Sequence, residues 1–242
     1  MTRNITIVLV LALLAVTAAA SDTLQAEGGD IEITPINHGS VQIEFGGKVI
    51  HIDPWSQGNY DGAPQADLIL ITDIHGDHLD PDMIGKLRKD STAVVIPQAV
   101  ADQVEGGTVI ANGESKTVAG VAIEAVPMYN LTRGPEEGKL FHDKGRGNGY
   151  ILTLGGKRIY FSGDTECVPE IRELENIDVA FITMNLPYTM PPIEAAECVR
   201  DFEPKIVYPY HYRGSNLEEF TSALKDEPGI EVRIRDWYTS SQ

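Results

Sequence analysis

Basic residues are what this sequence most lacks: 19 Lys and Arg face 36 Asp and Glu, leaving a formal net charge of -17. A surface that acidic repels phosphate backbones and anionic lipid, which argues against nucleic-acid or membrane-surface binding. Cysteine is nearly absent. Two residues, Cys167 and Cys198, offer no framework pattern to read. Proline- or serine-rich linkers are also missing, so nothing divides the chain into separate units, and one domain is expected. Aromatic content is only 7%, yet with 42% apolar residues the composition is ordinary for a globular protein with a real core.

A long apolar run occurs at the N-terminus alone. "MTRNITIVLVLALLAVTAAASD" joins a short basic start at Arg3 to an apolar stretch from Ile5 to Val16 and the small residues Ala18, Ala19 and Ala20. That is the layout of a secretory signal peptide, with cleavage expected near Ala20. The stretch is short for a membrane span and has no basic flank beyond it. No cysteine follows it, which speaks against a lipid anchor, and no twin-arginine pair precedes it. Residues 1–20 are therefore read as a signal and 21–242 as one exported domain, secreted or periplasmic, with no membrane association once the signal is removed. Cys167 and Cys198 then meet an oxidising environment. A disulfide and two small buried thiols on separate helices are both open readings.

The body of the chain alternates short strand-like runs with glycine turns. "IEITPI", "SVQIEF" and "KVIHID" (31–36, 40–45 and 48–53) are β-rich, and "FGGK" joins the last two as a hairpin. "ADLILIT" (66–72) is a continuous apolar run, as expected of a strand covered on both faces. A helix should start at Pro81 with Asp80 as its N-cap. "TAVVIP" reads as a strand and "PQAVADQV" as a short helix. An antiparallel meander follows, ending in "KRIYFSGD", with "LGGK" repeating the glycine-pair hairpin. The last third alternates helix 168–175, strand 178–184, helix 191–202, strand 205–210, helix 216–226 and strand "IEVRIRDW". Two β-rich blocks, each followed by helix–strand alternation, fit an α/β protein of two packed sheets with helices on both outer faces. The repeated hairpins hint at a weak duplication. One segment, 130–149, is long, polar and glycine-rich without periodicity, the mark of a functional or mobile loop.

Chemistry concentrates in "LILITDIHGDHLDP", where Asp73, His75, Asp77 and His78 fall within six positions after a buried strand. A loop at the end of such a strand can fan several O and N donors into one crevice, as a divalent metal requires. Adjacent side chains on a turn diverge, so the segment suits two neighbouring ions better than one. Other apolar strands end in polar residues in the same way: "IEAVPMYN" at Asn130, "RIYFSGD" at Asp164 and "KIVYPYH" at His211. That is what a site on the rim of a sheet needs. Lys144 and Arg146, in the long loop, are candidates to reach an anionic substrate group, or else are solvated charges. His38 and His51 lie in the opening hairpins and are read as structural or supporting rather than as ligands.

These motifs together resemble the metallo-β-lactamase superfamily. "DIHGDH" is similar to its T-H-x-H-x-D-H signature, "HIDPW" to the Asp-Pro after its opening hairpins, "FSGDT" to its strand-ending Gly-Asp, and "YPYHY" to the segment of its last histidine. "TM-PPIEAAECV" also has a counterpart among the small lactonase-like hydrolases of that superfamily. The resemblance spans nearly the whole mature chain and implies a four-layer αβ/βα sandwich. It further implies a second metal held by Asp77, His78 and His211 with Asp164 bridging. The first metal would be held by His75 with Asp73 and Asn130 at positions where the family carries histidines. Those two oxygen donors either retune the first site or leave it empty. His142 either compensates or is an exposed loop histidine, with a place at the substrate as a further use. One or two divalent ions are expected, zinc foremost, with manganese or iron as alternatives that oxygen-rich sites favour. The implied activity is hydrolysis of a small ester, lactone or phosphodiester by metal-activated water, with Asp77 accepting or shuttling the proton. The competing reading is a binding protein or pseudoenzyme with a partly lost metal site.

Overall fold

The computed structural model describes residues 21–238; the expected signal segment lies outside them. The first half of the chain makes one sheet, from β1 (Asp22–Ala26), β2 (Gly29–Asn37), β3 (Ser40–Phe45), β4 (Lys48–Ile52), β5 (Ala66–Leu70), β6 (Arg88–Ile96) and β7 (Thr108–Val109) in sequential order. The second half makes the other, from β8 (Ser115–Val118), β9 (Val121–Met128), β10 (Gly147–Leu154), β11 (Lys157–Phe161), β12 (Val179–Thr183), β13 (Ile206–Tyr210) and β14 (Glu231–Val232). Both sheets follow one rule. The first four strands pair antiparallel and the next three join in parallel. The duplication hinted at by "FGGK" and "LGGK" is therefore a duplication of topology, and both hairpins form in the expected register, Phe45 opposite Lys48 and Leu154 opposite Lys157.

Helices cover the outer faces. On the first sheet, α1 (Pro81–Leu87) buries Met83, Ile84 and Leu87 against Ile69, Ile71 and Val94. Asp80 caps it, its carboxylate accepting the Met83 amide, as the sequence predicts. On the second sheet, α2 (Pro169–Arg172), α3 (Pro192–Phe202) and α4 (Leu217–Leu224) pack on Tyr160, Ala180, Ile182 and Val207. Between the sheets lies a dry layer in which Ile31, Ile43, Ile50 and Leu68 face Tyr150, Phe161, Phe181 and Tyr208. This is the expected four-layer αβ/βα sandwich. Its hydrophobic layers supply the main stabilisation, since every large side chain named is almost wholly removed from water.

Some elements are shorter than the sequence suggests. The helix expected over 168–175 stops after one turn, and Asn176 then takes a left-handed backbone (φ 57°) that reverses the chain. "PQAVADQV" forms only the 3-10 turn Gln98–Val100. "IEVRIRDW" contributes two residues to the sheet and then leaves the edge, because Arg235 pairs with Asp22 and Trp237 turns into the core beside Phe181 and Tyr210. Cys167 and Cys198 form a disulfide with Cα atoms 5.6 Å apart, which decides between the two open readings and ties the loop after β11 to α3.

Candidate metal centre

The loops at the ends of β2, β5, β9, β11 and β13 meet in one crevice. Three groups of possible ligands lie there among the described residues: Asp73, His75 and His142; His78, Asp164 and His211; and His38, Asp77 and His211. Asp164 sits at the centre. One of its oxygens is 3.4 Å from His78 Nε2 and 3.5 Å from His142 Nε2, and the other is 3.3 Å from His211 Nε2. Gly163 makes that placement possible. Its φ of +61° suits glycine, and a Cβ there would lie 2.4 Å from the Met128 sulfur, which accepts the Asp164 amide.

Four polar atoms at this point, Nε2 of His78, His142 and His211 and Oδ1 of Asp164, are buried with no hydrogen-bond partner. A buried polar atom without a partner costs about 1–3 kcal/mol, so four aimed at one space need a common acceptor of their lone pairs. A divalent cation meets that need, and the imidazole and carboxylate donors suit one. The far nitrogens of the same histidines are anchored. His78 Nδ1 lies 2.8 Å from Asp53, whose carboxylate also accepts the amide and hydroxyl of Thr72. His142 Nδ1 lies 2.6 Å from Asn130 Oδ1, and His211 Nδ1 lies 3.4 Å from Asn185. Such partners fix ring orientation and leave Nε2 facing inward.

Charge reinforces the geometry. Burial opposes a proton on His78, but the flanking Asp164 and Asp53 carboxylates outweigh it and raise its pKa well above the ordinary histidine value. Burial likewise works against ionised Asp164, Asp77 and Asp73. Their neighbours prevail: His211 and His78 for Asp164, His211 and His38 for Asp77, and His75, His78 and Arg146 for Asp73, each carboxyl being held below the usual range. The crevice thus keeps its carboxylates anionic and stabilises positive charge on His78. The same field favours a bound cation.

The predicted second-site set, Asp77, His78, Asp164 and His211, is brought together as expected. The first-site set is not. The amide of Asn130 is fully engaged, with Oδ1 accepting from the backbone and ring of His142, and Nδ2 donating to Glu166 and the Tyr188 carbonyl. It holds His142 rather than facing the crevice. His142 is no exposed loop residue: it is 1% exposed and stands edge-on to His75 with ring centroids 5.2 Å apart. Asp73 is brought into this group, but Arg146 grips both of its oxygens and His75 Nδ1 lies 2.8 Å from one of them. Arg146 is therefore spent on Asp73 and on the Phe141 carbonyl, and Lys144 on Glu170. Neither is free for substrate.

His38 is the residue that sequence reading undervalued. Its ring stacks on His211 at 3.6 Å between centroids, its Nε2 is 3.3 Å from Asp77, and its Nδ1 is 2.7 Å from the Tyr238 hydroxyl. Burial and the neighbouring His211 push its pKa down to about 4. The signal was present: His38 follows an apolar strand just as Asp164 and His211 do. His38, Asp53 and His211 also share a left-handed backbone, with φ of 55°, 44° and 47°, a costly conformation for non-glycine residues that clusters at functional sites. His51, by contrast, is buried away from the crevice near the Pro64 carbonyl, the structural place expected of it.

A sandwich of this topology with His and Asp donors converging on its strand ends defines a metallohydrolase-type αβ/βα protein. The chain belongs to the β-lactamase superfamily, whose domain family matches residues 32–211, and within it to the metal-dependent hydrolases. A metal-dependent hydrolase of Thermococcus kodakarensis is 32% identical over 230 residues, covering 84% of this chain and all of the relative. One from Pyrococcus abyssi is 32% identical over 227 residues, covering 84% of this chain and 96% of its own. Among solved structures, a Parabacteroides distasonis protein assigned as a metal-dependent hydrolase is similar with a TM-score of 0.84 and 43% identity, over 90% of this chain and 98% of that one. A metallo-hydrolase of Ignicoccus hospitalis shares the fold at a TM-score of 0.71 and 23% identity, over 85% and 95% of the two chains.

Proposed function

We propose that this metal-dependent hydrolase is exported and cleaves a small ester, lactone or phosphodiester. One observation carries the reading: His142, His211 and Asp164, each with a partnerless donor atom, line an open cavity of about 650 Å³, and the partnerless His78 Nε2 lies 3.4 Å from Asp164 behind them. Asp77, His78, His211 and Asp164 would hold one ion; His75, His142 and Asp164 would hold a second, with Asp73 steadying His75. The mixed nitrogen and oxygen donors suit zinc first, with iron or manganese as alternatives. When bound, such ions supply Lewis acidity that activates water and polarises the scissile oxygen.

The chain's own residues supply the rest. Asp53, Asn130 and Asn185 fix the three histidine rings, so their donor atoms need no reorganisation when the site is filled. Asp77, held below the usual carboxylate range by His211 and His38, stays anionic in the crevice and is the candidate to accept or shuttle a proton. It serves to hold a cation and to orient a water by accepting its hydrogen bond. Export rests on the Arg3, Ile5–Val16 and Ala18–Ala20 pattern, and the Cys167–Cys198 disulfide accords with an oxidising compartment.

Elemental analysis of protein purified without added metal should find stoichiometric transition metal. A panel of aryl esters, lactones and phosphodiesters with zinc, manganese and iron should find turnover that Asp164→Ala and His78→Ala reduce at least about 1,000-fold. Metal-free protein after reconstitution, or activity indifferent to both substitutions, would defeat the reading. Mass spectrometry of the exported protein should find a mature N-terminus near residue 21.

A further inference from the structure

The cavity above the metal centre has two unlike walls. One is apolar: Phe141 stands edge-on to Tyr188, with Leu186 and Pro187 beside them, and Leu186 and Tyr188 are 50% and 47% exposed. The other holds Arg213, two residues beyond His211 and also lining the cavity.

Arg213 differs from every other described arginine. Arg133, Arg146, Arg158, Arg172, Arg200, Arg233 and Arg235 each pair with a carboxylate. Arg88 donates both terminal nitrogens to the Glu105 carbonyl. The Arg213 guanidinium has no carboxylate or carbonyl partner among the described residues, although acids outnumber bases 36 to 19 in this chain. It is instead set against two aromatic rings, 6.0 Å from the centroid of Trp55 and 5.5 Å from that of Tyr238. Both rings are tied to the metal centre. Each lies 5.7 Å from the His38 ring, and the Tyr238 hydroxyl bonds His38 Nδ1. A guanidinium stacked on aromatic faces keeps its in-plane N–H fork unspent, and that fork matches the two oxygens of a carboxylate or phosphate.

We infer that Arg213 is the substrate's anion receptor, so that this hydrolase acts on amphipathic oxyanions: a small ester or lactone with an apolar body against Phe141, Leu186 and Tyr188 and a carboxylate or phosphate on Arg213. The inference rests on the hydrolase reading for its reaction and on the Arg213 surroundings for its specificity. An acidic surface that otherwise repels anions gives this cavity cation, which has no carboxylate partner among the described residues, its selective value.

The test compares 4-acetoxybenzoate and 4-acetoxyphenyl phosphate with the neutral methyl 4-acetoxybenzoate, using metal-loaded protein, both for turnover and for binding by calorimetry. The expected anionic-to-neutral ratio of kcat/KM is about 10 to 100, the range for a hydrogen-bonded charged pair. It should fall to near one in Arg213→Met, which retains the apolar stem over Trp55 and Tyr238, and should be partly retained in Arg213→Lys. Preference for the carboxylate or for the phosphate identifies which oxyanion the fork takes. Turnover without anionic preference, or a preference untouched by Arg213→Met, overturns the inference and leaves the hydrolase reading standing. If no ester is turned over, the hydrolase reading fails on its own. Calorimetry then decides the receptor: tighter anion binding that Arg213→Met abolishes supports it, and equal binding overturns it.

Discussion

Asn130 occupies a position where a ligand was expected and turns out to hold His142. Its Oδ1 takes both the backbone amide and the ring nitrogen of His142. Asn130→Ala should therefore leave two donors of His142 unpaired, destabilising the fold by about 1–3 kcal/mol. It should also weaken metal affinity about 10- to 100-fold, as loss of a ring-orienting partner does. Chelator competition measures the second effect and urea unfolding the first. A variant that binds metal as wild type would show that His142 needs no such support. In sequence, Asp73 reads as an oxygen donor to a first metal beside His75. Its grip by Arg146, 73 positions away, is not legible there, because the sequence does not say which charge a loop will fold back to meet.

The loop after β11 is the element on which the centre depends. Asp164, Thr165, Glu166 and Cys167 follow one another: a central donor, a bond to Tyr129, an anchor for the amides of Thr132 and Arg133, and a disulfide to α3. The disulfide closes a loop with a sequence separation of 31 residues. Chain-entropy arguments then assign it about 2–4 kcal/mol. Cys198→Ser should lower the unfolding free energy by that amount under non-reducing conditions. Chemical denaturation of both proteins, with and without reductant, checks it: reductant should bring wild type down to the variant, and a variant as stable as wild type would remove the loop from this role. Strand identities here were readable from apolar runs and glycine pairs. Element lengths were read less well, since Asn176 and the departure of the chain after β14 answer to tertiary partners rather than to local preference.

Across the whole molecule, acidity makes ion pairs at the sheet ends sensitive to pH. Asp178 accepts the Arg158 amide and pairs with Lys205 and Lys157, joining the starts of β11, β12 and β13. Burial opposes its ionisation, but Lys205 and the Arg158 amide prevail and hold its carboxyl below the ordinary value of 3.8. Because the folded pKa is the lower one, this stabilisation is complete above the ordinary value and is lost as pH falls through the folded one. Asp178→Asn should thus melt earlier than wild type at pH 5–7, with the gap closing below about pH 4. Thermal melts over that range test it, and a constant gap would rule out charge as the cause.

The sequence by itself determined the alternation of strands and helices, two packed sheets with helices outside, and the placing of Asp77, His78, Asp164 and His211 at strand ends. Apolar periodicity sets which segments become strands, and a donor placed just after a buried strand can only emerge at that sheet's rim. The tertiary structure alone decided that Asn130 serves His142, that Arg146 serves Asp73, that His38 faces the crevice, and that Arg213 lines the cavity beside Trp55 and Tyr238. Those assignments join positions up to 200 residues apart, as between His38 and Tyr238. They follow from how two sheets bring distant loops into one space, where each polar group takes the partner within its reach.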